Sequence, residues 1–187
     1  SETEPPLDGL VRAAQRMAAA LPHCQVILTG GEPMLRRDFP AIYRHAKQNG
    51  LLVTVFTNGT LITPTMARTL KEIGLSYVGI SLDGMQEIND RFRGVKGAFA
   101  AALEGIRNCQ TAGIKVGLRF TINKFNVNEI PAIFDLLEEM DIPRVCFYHL
   151  VYAGRGSKLV ADDLTHEETR RAVDLIIDRT RQLHEKG

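Results

Sequence analysis

Glu32 follows an apolar run, in the segment Gln25-Val26-Ile27-Leu28-Thr29-Gly30-Gly31-Glu32-Pro33. A carboxylate flanked by two residues without side chains can hold a cation against exposed backbone carbonyls. Pro33 stiffens the turn behind it. Three further segments repeat the arrangement: Thr57-Asn58-Gly59-Thr60, Ser81-Leu82-Asp83-Gly84 and Arg119-Phe120-Thr121-Ile122-Asn123. A fifth apolar run leads into His149-Leu150-Val151-Tyr152-Ala153-Gly154-Arg155-Gly156. Each feature also has a purely structural reading. Asn58-Gly59 is a common turn pair, and Ser81 and Asp83 can cap a loop. Arg119 can be a snorkelling strand residue, and His149 a satisfied core histidine. Co-occurrence favours chemistry, because small polar groups, acids and a base recur where apolar runs stop. The opposite ends, at Gly50-Leu51, Gly74-Leu75 and Gly113-Ile114, read as plain helix stops.

The elements that position these residues alternate strand and helix. Strands are expected over 25–29, 51–57, 77–82, 114–122 and 145–151, and helices over 7–21, 39–49, 65–73, 98–112 and 129–140. Asn128 is a plausible cap for the helix beginning at Glu129, with Pro131 tolerated in its first turn. Thr165, with Glu168 three residues on, forms a capping box for a final charged helix reaching about His184. Runs apolar on both faces suit a parallel sheet covered by helices. In such α/β folds ligands collect at the carboxyl ends of the strands. The sequence opens on a helix, which leaves the impression of a fold whose first strand is missing, with an open edge beside residues 25–29.

The 187 residues are 44% hydrophobic and 24% charged, which suits one globular domain. A net charge of +1 gives no basic field for nucleic acid. No apolar run approaches the roughly 18 residues of a membrane span, and no signal-peptide pattern opens the chain. The expectation is a cytoplasmic protein with neither a nucleic-acid nor a membrane partner. Cys24, Cys109 and Cys146 lie far apart in sequence, beside apolar segments, and read as free packing thiols; no metal ligand is assigned among them.

The ordered set of strand ends resembles the radical S-adenosylmethionine (SAM) superfamily. Gly30-Gly31-Glu32-Pro33 matches its glycine-rich motif, which implies that Gly30, Gly31, Glu32 and Pro33 hold the methionine ammonium of SAM. Thr57, Asn58 and the Ser81-Leu82-Asp83-Gly84 segment, followed by Arg91 to Phe99, resemble the branch with a C-terminal cluster domain of the SPASM or twitch kind. The resemblance implies that Ser81 and Asp83 face the ribose and methionyl part, that Arg119 partners the SAM carboxylate, and that Leu150 and Tyr152 lie by the adenine. It implies a partial parallel (βα) barrel over residues 1–187, a radical SAM core. The family's 4Fe–4S cluster sits on three closely spaced cysteines, and none of the three here has that spacing. Those ligands are expected before Ser1 and a probable auxiliary 4Fe–4S cluster after Gly187, so residues 1–187 alone are expected to be inactive.

Tyr148 to Gly156, with the Leu28 to Leu35 and Ile88 to Phe99 segments, is similar to the tetrapyrrole-modifying members, nearest those of haem d1 biosynthesis. That implies a 5′-deoxyadenosyl radical acting on propionate side chains of a didecarboxysirohaem-type tetrapyrrole, with flavodoxin or ferredoxin as electron donor. Charge supplies a local check. Arg36, Arg37, Arg91, Arg93, Lys96, Arg119, Lys124, Arg155 and Lys158 outnumber Glu32, Asp38, Asp83, Glu87 and Asp90 in these loops, an excess suited to a polycarboxylate. The alternatives are a SPASM-type peptide-modifying enzyme, a sirohaem-decarboxylating relative, a cluster-free (βα) barrel lyase with Glu32 as general base, and a non-enzymatic scaffold.

Overall fold

The computed structural model describes residues 5–21, 23–150 and 162–186. The fold is α/β, with five strands in the order β1-β2-β3-β4-β5. The chain divides into two compact units, Ser1–Ser81 with Ala101–Val116, and Leu82–Ala100 with Gly117–Gly187.

In the first unit an alanine-rich helix, α1 (Leu7–Ala20), leads into β1 (Gln25–Leu28). After a 3-10 turn at Pro33–Leu35 come α2 (Phe39–Gln48), β2 (Leu52–Thr57), α3 (Pro64–Glu72) and β3 (Tyr77–Ser81). Thr63 caps α3, its Oγ1 accepting the Met66 N–H at 3.1 Å, and Pro64 occupies the first helical position. β1 pairs parallel with β2 from Gln25↔Leu52 to Leu28↔Val55, and β2 with β3 from Val55↔Val78 to Thr57↔Ile80. This register brings the ends of all three strands to one side of the sheet, as the glycine-rich segments require. Ala14, Ala46 and Leu51 are packed by Ala18, Cys24, Val26 and Val53, so Cys24 is a core-facing thiol.

The second unit holds α4 (Gln86–Arg93), most of β4 (Lys115–Thr121), α6 (Ile130–Glu139), β5 (Val145–Tyr148) and α7 (His166–Lys186). A further helix, α5 (Ala98–Thr111), carries its first residues here and the rest in the first unit. β4 pairs parallel with β5 from Leu118↔Val145 to Thr121↔Tyr148. Phe147 packs against Phe120 and Phe134, with both centroid separations 5.7 Å. The capping box at α7 forms: Glu168 accepts the Thr165 N–H at 2.8 Å, and Thr165 Oγ1 accepts the Glu168 N–H at 3.2 Å.

The structure corrects several sequence expectations. α4 was not expected, and its only buried residue is the polar Asn89, so it lacks the apolar period that marks a helix. Asn128 lies inside a 3-10 turn, Val127–Glu129, rather than capping α6. β5 stops at Tyr148; Val151, with Tyr152, Arg155 and Lys158, lies outside the described residues. The first strands are not covered on both faces: Ile27 is 46% exposed and Leu52 55%, whereas Leu28, Val53 and Val55 turn inward. β1 forms one edge of the sheet, where the open edge was expected.

Candidate cofactor-binding turns

Glu32 is the residue on which the first unit's loops converge. Its Oε1 accepts the Thr57 hydroxyl at 2.7 Å and the Met34 N–H at 3.1 Å, while Oε2 accepts the Asn58 N–H at 2.7 Å. The carboxylate thus caps the Pro33–Leu35 turn and ties the exit of β1 to the exit of β2. A carboxylate has about four acceptor positions, so these three bonds leave room for one further donor. Glu32 is only half-buried, and a Cβ built on Gly30 or Gly31 would meet nothing within 4 Å. Neighbouring side chains therefore do not require either glycine to be small, and the exposed backbone beside the acid is open to a ligand. This donor set fits a bound ammonium.

Thr57 and Asn58 brace their own turn. Thr57 Oγ1 accepts the Gly59 N–H at 3.0 Å, and Asn58 Oδ1 accepts from both the N–H (2.9 Å) and the hydroxyl (2.8 Å) of Thr60. Gly59 has φ 77°, a left-handed conformation that glycine adopts without strain. Beneath it lies Gly105 of α5, where an added Cβ would stand 2.2 Å from the Gly59 carbonyl oxygen. Thr60 closes the Thr57-Asn58-Gly59-Thr60 segment read from the sequence, at Asx-turn spacing from Asn58, whereas Gly105 was missed because nothing local signals it. Ser81 is the half-buried last residue of β3.

In the second unit Asp83 is buried and engaged internally. Its carboxylate pairs with Arg93 and accepts the Thr121 N–H at 3.3 Å; its own N–H donates to Asn89 Oδ1 at 3.0 Å, and its carbonyl accepts Asn126 Nδ2 at 3.1 Å. Burial pushes the Asp83 carboxyl above its ordinary range, opposed by Arg93, the Thr121 N–H and Arg119. Asp83 thus knits α4 to the end of β4. Asn89 and Asn126, which sequence reasoning did not single out, complete this network. Arg119 lies over the Tyr148 ring at 4.6 Å, its Nε donating to the Tyr148 hydroxyl at 3.4 Å. Leu150 is buried, and His149 is exposed rather than a core histidine.

The cysteines do not provide a cluster site. Cys109 is fully buried in α5, with its thiol pushed up to about 12 by burial, while Cys24 and Cys146 are half-buried. Among the described residues no group of three or more His, Cys, Asp or Glu side chains is placed to hold a metal ion. This donor set does not fit a 4Fe–4S cluster. Among the described residues no helix is long and apolar enough to cross a membrane.

Comparison with known proteins defines the class. The family model described as the Radical SAM superfamily matches residues 2–137. The chain belongs to that superfamily, a family of enzymes that use SAM and a 4Fe–4S cluster, and its five-stranded α/β fold is the family's partial barrel. Among individual relatives, it is 65% identical over 162 residues to the Fe-coproporphyrin III synthase of Methanosarcina barkeri, covering 87% of this chain and 41% of that protein. It is 46% identical over 154 residues to the pre-heme d1 synthase of Dinoroseobacter shibae, covering 82% and 38%. Streptococcus suis SuiB, solved with its precursor peptide SuiA, shares the fold with a TM-score of 0.80 at 17% identity, over 98% of this chain and 41% of that one. The chain spans about two fifths of the length of the curated relatives it matches.

Proposed function

We propose that this chain is the SAM-binding core of an enzyme that uses a 5′-deoxyadenosyl radical to modify the carboxylate-bearing side chains of an iron tetrapyrrole. The observation that carries the substrate class is the 65% identity to an Fe-coproporphyrin III synthase. The 46% identity to a pre-heme d1 synthase supports the haem d1 reaction as a second reading. A peptide substrate is the weaker alternative, at 32% identity to the PqqA peptide cyclase of Gluconobacter oxydans.

In this reading Glu32 accepts the SAM ammonium at its remaining acceptor position, beside the open backbone of Gly30 and Gly31. Pro33, Thr57 and Asn58 keep the carboxylate aimed. Ser81, Arg119, Leu150 and Tyr152 are proposed contacts for the rest of SAM, with Arg119 offered to its carboxylate. Asp83 is proposed to hold the loop between β3 and α4 in shape, since its own carboxylate is already engaged. The bound cofactors supply the radical, and these residues position it. A flavodoxin- or ferredoxin-type protein is the proposed electron donor.

Anaerobic turnover of the full-length, cluster-loaded enzyme with SAM, a reductant and didecarboxysirohaem tests this reading. The expected products by mass spectrometry are 5′-deoxyadenosine and Fe-coproporphyrin III. A tetrapyrrole product of the haem d1 type favours the second reading, and no change in any tetrapyrrole overturns both.

A further inference from the structure

Phe125 is an anomaly that the SAM site leaves unexplained. It is a large apolar side chain, 50% exposed, in the turn that follows β4. The turn is built to hold it there. The Phe125 N–H donates to Asn123 Oδ1 at 2.9 Å, and the Asn123 N–H donates to Asn126 Oδ1 at 2.8 Å. Both asparagines are buried, at 1% and 0% exposure, so two desolvated amides fix the backbone of one solvent-facing phenyl ring.

Over that ring lies Arg91 of α4, its guanidinium carbon 5.7 Å from the centroid. Arg91 is exposed and has no ion-pair partner among the described residues. Asp83 connects the two supports: its carboxylate pairs with Arg93 on α4, and its carbonyl receives Asn126 from the Phe125 turn. The ring and the guanidinium are therefore pre-set side by side, an apolar face next to a cation with no ion-pair partner among the described residues. That pairing matches a flat apolar macrocycle edged with carboxylates.

We propose that Phe125 and Arg91 form a substrate platform, with Phe125 stacking on the tetrapyrrole macrocycle and Arg91 holding one of its side-chain carboxylates. This rests on the tetrapyrrole reading above and assigns specificity to two residues outside the SAM turns.

The test uses the full-length protein under anaerobic conditions, with Fe-coproporphyrin III as the probe and its Soret band as the signal. Phe125→Ala should weaken binding about tenfold, and Phe125→Trp should restore it. Arg91→Gln should weaken binding about fivefold. With the tetramethyl ester of the same iron porphyrin, the Arg91→Gln loss should vanish and the Phe125→Ala loss should persist. SAM affinity, read by calorimetry, should not move in either variant. Unchanged porphyrin binding in both variants overturns the platform alone, and so does an Arg91→Gln loss that survives esterification. A wild-type protein that binds no iron tetrapyrrole overturns the parent reading as well.

Discussion

Glu32 Oε2 accepts the backbone N–H of Asn58 across 2.7 Å, so one acid joins the exits of two neighbouring strands. The same carboxylate takes the Thr57 hydroxyl and the Met34 N–H. An acid that only bound a ligand would have no reason to hold three donors of its own chain. Glu32→Ala removes all three partners at once and leaves the Asn58 and Met34 N–H groups unsatisfied. Stability should fall by about 2 kcal/mol, read by urea denaturation. An unchanged midpoint contradicts the structural role.

Gly105 of α5 lies against the Asn58-Gly59 turn, so that a Cβ added at Gly105 would stand 2.2 Å from the Gly59 carbonyl oxygen. The obstacle is backbone, which cannot rotate away. Gly105→Ala should destabilise the protein by about 1–3 kcal/mol despite alanine's better helix propensity. Thermal unfolding checks this, and a raised Tm would show that α5 and the Asn58-Gly59 turn do not press together.

Asp90 of α4 accepts the N–H groups of Phe99 (2.8 Å) and Gly97 (2.6 Å) at the start of α5. The Phe99 N–H, then the Gly97 N–H, hold its carboxyl below the ordinary value of 3.8. The folded state binds this proton more weakly than the unfolded state. The stability Asp90 contributes is therefore present above pH 3.8 and is lost as pH falls through its depressed pKa. Asp90→Asn should reduce stability at pH 7 and flatten the acid limb of stability against pH. Parallel curves for the two proteins from pH 2 to 7 would contradict the assignment.

Much of this arrangement was legible in the sequence because it is local. Gly30 to Pro33, Thr57 to Thr60 and the Thr165–Glu168 box announce themselves by residue type and spacing, and five strands follow from five apolar runs. What escaped depends on distant partners. α4 hides because its buried residue is Asn89, and the reach of Asp83 to Arg93 and Asn126 crosses 10 and 43 positions. The partners of Glu32 are hidden for the same reason, since Thr57 and Asn58 lie 25 and 26 residues away. The haem d1 expectation was finer than local motifs can carry: identity is higher to an Fe-coproporphyrin III synthase, at 65%, than to a pre-heme d1 synthase, at 46%.

The central claim, that the Glu32 turn receives the SAM ammonium, is tested most directly by calorimetry on the full-length protein and its Glu32→Gln variant. Glutamine keeps the length of the side chain and an oxygen for the Asn58 N–H, but lacks the charge. SAM should bind about 30-fold more weakly to the variant, the loss of one charge-assisted hydrogen bond. 5′-Methylthioadenosine, which has no ammonium, should bind both proteins alike. Equal SAM affinity in the two proteins, or an equal loss for both ligands, would contradict the claim.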